Sequence, residues 1–193
     1  EEWRDWLRPA RPWCIAHRGA SAHAPGNTLR AFDLAADLGA DVLEVDVRRS
    51  ADGVLVAHHD AATARGTAVA AADHATLAAE TAADGRRMPT LDAVLALAAR
   101  RGLGIYADVK DGAAALAAVA ALRDHGIRRA VIGAFDPDVV RRLEAAGSPY
   151  PRAALVPPGV DPFAHAAGAD IVHLCWERMA RPQDAVTPGL LAE

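Results

Sequence analysis

Glu44 and Asp46 stand two residues apart within the apolar run Val42-Leu43-Glu44-Val45-Asp46-Val47. In a strand this spacing turns both carboxylates to one side and Leu43, Val45 and Val47 to the other. Two acids on the inner side of such a strand repel each other unless a cation lies between them. A hard divalent ion such as Ca²⁺ or Mg²⁺, which takes oxygen ligands, would resolve the conflict. The alternative is a strand whose acidic side faces solvent. Asp108 and Lys110 repeat the spacing farther along, offering a third carboxylate for the metal and an ammonium for a phosphate oxygen. A surface ion pair would account for the same two residues.

Phosphoester cleavage near neutral pH is well served by two imidazoles, one acting as base and the other as acid. His17 opens His17-Arg18-Gly19, which adds a guanidinium and a turn glycine with backbone amides suited to phosphate oxygens. His59 follows the hairpin signal Asp52-Gly53, set between the extended runs Val45–Arg48 and Val54–His58. Reflection about the middle of Asp52-Gly53 sets Asp46 opposite His59, so the hairpin is expected to return His59 beside the carboxylates. His58 should then point the other way and serve structure. His23, His74, His125, His165 and His173 show no partner pattern and are expected at the surface or in packing. Of the 21 basic residues only Lys110 is lysine, which suggests a position that needs a compact ammonium.

Those residues require elements that bring them to one place. Short apolar runs alternate with Ala/Leu-rich segments of helical period, a pattern of βα units around a parallel sheet. Strands are expected over Trp13–Ala16, Val42–Val47, Gly104–Val109, Ala130–Ala134, Ala153–Val156 and Asp170–Cys175. Helices are expected over Thr28–Leu38, Leu91–Arg101, Ala113–His125, Pro137–Ala146, Pro162–Ala167 and Thr187–Glu193. Residues 61–87 break the rhythm and read as an insertion or long loop with one short helix near Ala75–Ala82. In a parallel barrel the C-terminal strand ends share a face, and there His17, Glu44, Asp46, Asp108 and Lys110 would converge.

The totals set further bounds. With 193 residues, 52% of them hydrophobic, the chain suits one domain over residues 1–193. A net charge of −4 with mixed signs gives no basic face for nucleic acid. Cys14 and Cys175 form neither a disulfide framework nor a zinc spacing and are expected to be buried free thiols. No run approaches the ~20 apolar residues of a membrane span. The expectation is a soluble, cytoplasmic protein without stable membrane insertion. A start at Glu1 leaves a secreted form open, and a homo-oligomer also remains open.

At this point the sequence resembles the glycerophosphodiester phosphodiesterase family. The matching segments are Ile15-Ala16-His17-Arg18-Gly19-Ala20, Pro25-Gly26-Asn27-Thr28-Leu29-Arg30-Ala31-Phe32 and Gly39-Ala40-Asp41-Val42-Leu43-Glu44-Val45-Asp46-Val47. They continue with Asp52-Gly53-Val54-Leu55-Val56-Ala57-His58-His59-Asp60, Met88-Pro89-Thr90-Leu91-Asp92, Asp108-Val109-Lys110 and Ala134-Phe135-Asp136. The resemblance implies an α/β fold, a TIM-like (β/α) barrel of the phospholipase-C-like phosphodiesterase type. It implies a role in lipid metabolism, hydrolysing glycerophosphodiesters to glycerol 3-phosphate and an alcohol. It further implies a divalent metal, Ca²⁺ or Mg²⁺, on Glu44, Asp46 and Asp108, acid/base catalysis by His17 and His59, and phosphate contacts from Arg18 and Lys110. By analogy, a glycerol hydroxyl attacks phosphorus first and water opens the cyclic product.

Three departures stand out. Gly26 replaces the glutamate of the family's Pro-Glu-Asn-Thr segment, and Asp108 replaces a usual glutamate. The family pattern also continues with two further strands, and this chain is expected to lack both. Two other readings are a related phospholipase-type phosphodiesterase and a catalytically weakened barrel that only binds phosphodiesters.

Overall fold

The computed structural model describes residues 3–7, 9–82 and 86–175. A short helix α1 (Trp3–Trp6) precedes β1 (Ile15–His17), α2 (Leu29–Asp37), β2 (Val42–Arg49) and β3 (Leu55–Ala57). After a 3-10 turn at Val69–Ala71 come α3 (His74–Ala82), α4 (Leu91–Arg101), β4 (Gly104–Val109), α5 (Ala115–Asp124) and β5 (Ala130–Ala134). The last described elements are α6 (Pro137–Ala145), β6 (Arg152–Val156), α7 (Pro162–His165) and β7 (Ile171–Leu174). The expected helix Thr187–Glu193, and Trp176 as a candidate pocket residue, lie outside the described residues.

Six parallel strands run in the order β1-β2-β4-β5-β6-β7, and β3 pairs antiparallel with the end of β2. The alternation expected for β2 holds. Leu43, Val45 and Val47 are buried against the helices, together with Phe32 of α2 and Val94, Leu95 and Ala98 of α4. The same cluster takes in Ile105, Ala107 and Val109 of β4. The helix starts act as the sequence suggests: Thr28 and Thr90 accept from the amides of Ala31 and Ala93, and Asp136 from Asp138.

The opposite face of the sheet forms an interior. Tyr106 of β4 hydrogen-bonds His173 of β7 at 2.9 Å. Three strand spacings of about 4.8 Å separate those strands in a flat sheet, so a side-chain contact between them requires the sheet to curl. Val42, Tyr106, Val131, Ala153, Leu155 and Cys175 fill this interior, with Trp6, Leu7, Ile171 and Trp13 packed against them. The four residues of α1 carry no periodic pattern, and the sequence reading missed them. Cys175 is buried as expected, whereas Cys14 is exposed.

The hairpin after β2 forms, but not in the expected register. Its partners are Val47 with Ala57, Arg48 with Val56 and Arg49 with Leu55. The Ser50 amide donates to the Val54 carbonyl, and the Gly53 amide to the Ser50 carbonyl. That makes a three-residue loop, with Gly53 in the left-handed region at φ 87°, rather than the two-residue turn read from Asp52-Gly53. The axis shifts by half a residue and the pairing by one. Asp46 therefore faces His58, whose amide donates to the Asp46 carbonyl at 3.0 Å, and His59 lies one step farther along. In residues 61–87, α3 covers the expected Ala75–Ala82 segment, and Val69, Leu77 and Met88 pack on Val56 in a small separate core.

Candidate active site

The C-terminal ends of β1, β2 and β4 bring the candidate residues together. His17 is in register with Glu44, and Asp46 with Asp108, so adjacent strands present their polar residues side by side. Glu44, Asp46 and Asp108 are buried, and each offers an oxygen within 4.8 Å of the other two. Lys110 points inward with them: its Nζ lies 2.6 Å from Asp108 Oδ2 and 2.9 Å from Asp46 Oδ1. The ring of Phe135 lies 5.3 Å from the same ammonium.

Asp46 is the hub. Arg18 Nε approaches its Oδ2 at 2.9 Å, and Asn27 Nδ2 donates to the same oxygen at 2.6 Å. The Asp46 amide in turn donates to Asn27 Oδ1 at 3.3 Å. Arg18 at φ 57° and Asn27 at φ 56° are the non-glycine residues held in the left-handed region among the described residues. Such conformations typically cost on the order of 1–3 kcal/mol, and here both loops are bent so that their side chains meet one carboxylate. Asn27 was missed as a site residue because its place before Thr28 reads equally well as the start of a helix. Its position in the Pro-x-Asn-Thr segment was the available signal.

The turn after β1 corrects one expectation. The amides around Gly19 are not open to a phosphate. Arg18 N donates to Glu44 Oε2 at 2.7 Å, Gly19 N to the Ala16 carbonyl, and Ala20 N to the Ala31 carbonyl. Gly19, at φ 81°, is wedged so tightly that a Cβ would lie 2.6 Å from the Ala31 carbonyl carbon.

The electrostatics are those of crowded acids. Burial, reinforced by the Asp46 charge, pushes the Glu44 carboxyl up to about 8. Burial also works to raise Asp46, but Lys110, Asn27 and Arg18 outweigh it and hold that carboxyl below its ordinary value. At Asp108 burial prevails over the pull of Lys110, with a smaller pull from His59, and the carboxyl is raised. Asp108 Oδ1 and Asp46 Oδ1 are buried without an aligned hydrogen bond, although Lys110 is near the second. Buried oxygens left in this state fit a hard cation, and the three carboxylates suit Ca²⁺ or Mg²⁺ chemistry.

The histidines lie at the rim. His17 is exposed at the end of β1, beside Glu44 on the neighbouring strand. His59 is 45% exposed, with Nδ1 at 2.8 Å from Asp60 Oδ1, and its carbonyl accepts from Arg48 Nε. His58 contacts the Ala62 carbonyl instead.

Residues 17–174 match the model of the glycerophosphoryl diester phosphodiesterase family. The chain belongs to that family. A probable glycerophosphodiester phosphodiesterase of Mycobacterium tuberculosis is 52% identical over 58 residues, 30% of this chain and 21% of that protein. The sequence match thus spans about a fifth of the length of that relative. A glycerophosphodiester phosphodiesterase from Agrobacterium tumefaciens superposes with a TM-score of 0.68 at 25% identity, covering 91% of this chain and 92% of that one. A phosphodiesterase of Oleispira antarctica, solved with the product sn-glycerol-3-phosphate, superposes with a TM-score of 0.69. At 22% identity, with 85% of this chain and 84% of that one covered, it supports the fold. No described helix is long and apolar enough to cross a membrane.

Proposed function

We propose that this protein is a metal-dependent phosphoric diester hydrolase that cleaves glycerophosphodiesters to glycerol 3-phosphate and an alcohol. The observation that carries the reading is the buried Glu44-Asp46-Asp108 cluster at adjacent strand ends of a fold belonging to this family. A Ca²⁺ or Mg²⁺ ion held by these carboxylates would neutralise charge on the phosphoryl oxygens. Arg18 and Lys110 supply the further positive charge that a phosphodiester needs.

His17 and His59 form the acid/base pair in this reading. A neutral His59 ring that donates Nδ1–H to Asp60 keeps a lone pair on Nε2, the form that accepts a proton. One imidazole takes the proton of the attacking hydroxyl, and the other returns a proton to the departing alcohol. Rim exposure leaves both rings accessible to a substrate seated over the carboxylates.

The test is turnover of glycerophosphocholine or glycerophosphoethanolamine with Ca²⁺ or Mg²⁺. Release of glycerol 3-phosphate that stops on addition of a chelator is expected. Absence of turnover on both substrates with both ions, in folded protein, would overturn the proposal.

A further inference from the structure

Lys110 does something that phosphate binding alone does not require. Its ammonium lies within 2.9 Å of oxygens from two of the three candidate metal carboxylates, and its side chain is only 9% exposed. It thus occupies a cation's place. A divalent ion on Asp46 and Asp108 would compete with the ammonium for the same oxygens, and two positive centres a few ångströms apart repel strongly in a buried site. Phe135, which follows β5 and is 38% exposed, already flanks the ammonium with its ring 5.3 Å from Nζ, and that cation–π contact can be kept as the ammonium leaves the carboxylates. A compact, rotatable ammonium can make this exchange, whereas a guanidinium fork is larger and fixed in shape.

We propose that Lys110 is the resident counter-cation of the metal-free site, which must swing off Asp46 and Asp108 before a divalent ion binds, and that this movement presents its ammonium to the phosphate. The inference rests on reading Glu44, Asp46 and Asp108 as a divalent-ion site. It makes metal and phosphate binding reciprocal: each favours the displaced position of one side chain. Lys110 opposes the ion in the absence of substrate and assists substrate once the ion is in.

Two measurements test this without recourse to activity. Calorimetric titration with Ca²⁺ alone should show at least tenfold tighter binding in Lys110→Met or in the smaller-risk Lys110→Gln than in the parent protein. Because Lys110 is the sole lysine, reductive methylation of the parent protein with formaldehyde reports on it directly, with peptide mass spectrometry separating it from the N-terminal amine. Ca²⁺ should speed methylation of Lys110 severalfold. Unchanged or weaker Ca²⁺ binding in a folded variant, or unchanged or slower methylation, overturns the inference. If Ca²⁺ still binds and hydrolysis persists, only this inference fails. If neither parent nor variant binds a divalent ion, the metal reading of the site falls with it.

Discussion

One row of the sheet runs from Asp46 and Asp108 through Gly133 and Ala153 to Ile171, and its two halves are built on opposite terms. On β2 and β4 this row consists of the buried acids Asp46 and Asp108, whose charges are partly matched by Lys110 and Arg18, with a hydrogen bond from Asn27 to Asp46. On β5 and β6 the interior is small and apolar, and Tyr106 and Leu155 close over Gly133. The first half stores electrostatic conflict that a cation can relieve. The second provides packing that holds the curl. Substitutions should therefore separate cleanly: changes in the first half remove activity at little cost to the fold, and changes in the second do the reverse.

The sharpest test lies at the rim of the charged half. His17→Ala and His59→Ala should each lower kcat/KM by at least about 100-fold, the usual scale for a general acid or base. Both rings are well exposed, so the thermal midpoint should hardly move. Full activity in either variant breaks the acid/base assignment. Glu44→Gln should abolish the metal dependence of turnover, and an unchanged Ca²⁺ titration would count against the triad.

That same carboxyl gives the metal-free protein a pH dependence of definite sign. Glu44 is pushed up to about 8 in the folded chain and titrates near its ordinary 4.5 when unfolded. Between those values the folded state holds the extra proton, so stability falls as pH rises from about 5 to about 8. Chemical denaturation of chelated protein at several pH values should show this decline, and Glu44→Gln, which mimics the protonated form, should lessen it. Saturating Ca²⁺ should remove it too, because the ion takes over the neutralising role. A chelated protein whose stability climbs over that range would exclude a raised Glu44.

Much of this contrast was legible before any coordinates. The i, i+2 spacing of Glu44 and Asp46 set their common face, and apolar period with cap residues set the βα order. Both are local signals. What was not legible depends on contacts distant in sequence or on fine turn chemistry. Asp52-Gly53 specifies a turn, yet whether two or three residues form the loop depends on how Ser50 and Val54 pair, and that choice moved the hairpin register by one. Asn27 lies 19 residues from Asp46, and apart from its place in the Pro-x-Asn-Thr segment its surroundings read equally well as the start of a helix. Likewise, the engagement of Lys110 with Asp46 as well as Asp108 follows from strand pairing.

The packed half should answer with smaller, purely structural effects. A Cβ at Gly133 would lie 2.6 Å from Leu155 Cδ1 and 2.8 Å from Tyr106 Oη, so Gly133→Ala forces both side chains to give. Overpacking of this kind costs about 1–3 kcal/mol, to be read from denaturation midpoints. Tyr106→Phe should cost less, about 0.5–1 kcal/mol, because it removes only the hydrogen bond to His173, an exposed residue that water can satisfy. Since the hydroxyl lost in Tyr106→Phe is one of the atoms in the way of a Cβ at position 133, the two changes should not add. The double variant should be more stable than the sum predicts by roughly 0.5 kcal/mol or more, the scale of coupling between touching residues. Strict additivity would mean that the obstruction comes from Leu155 and the ring carbon of residue 106, 2.9 Å from the added Cβ, and not from the hydroxyl.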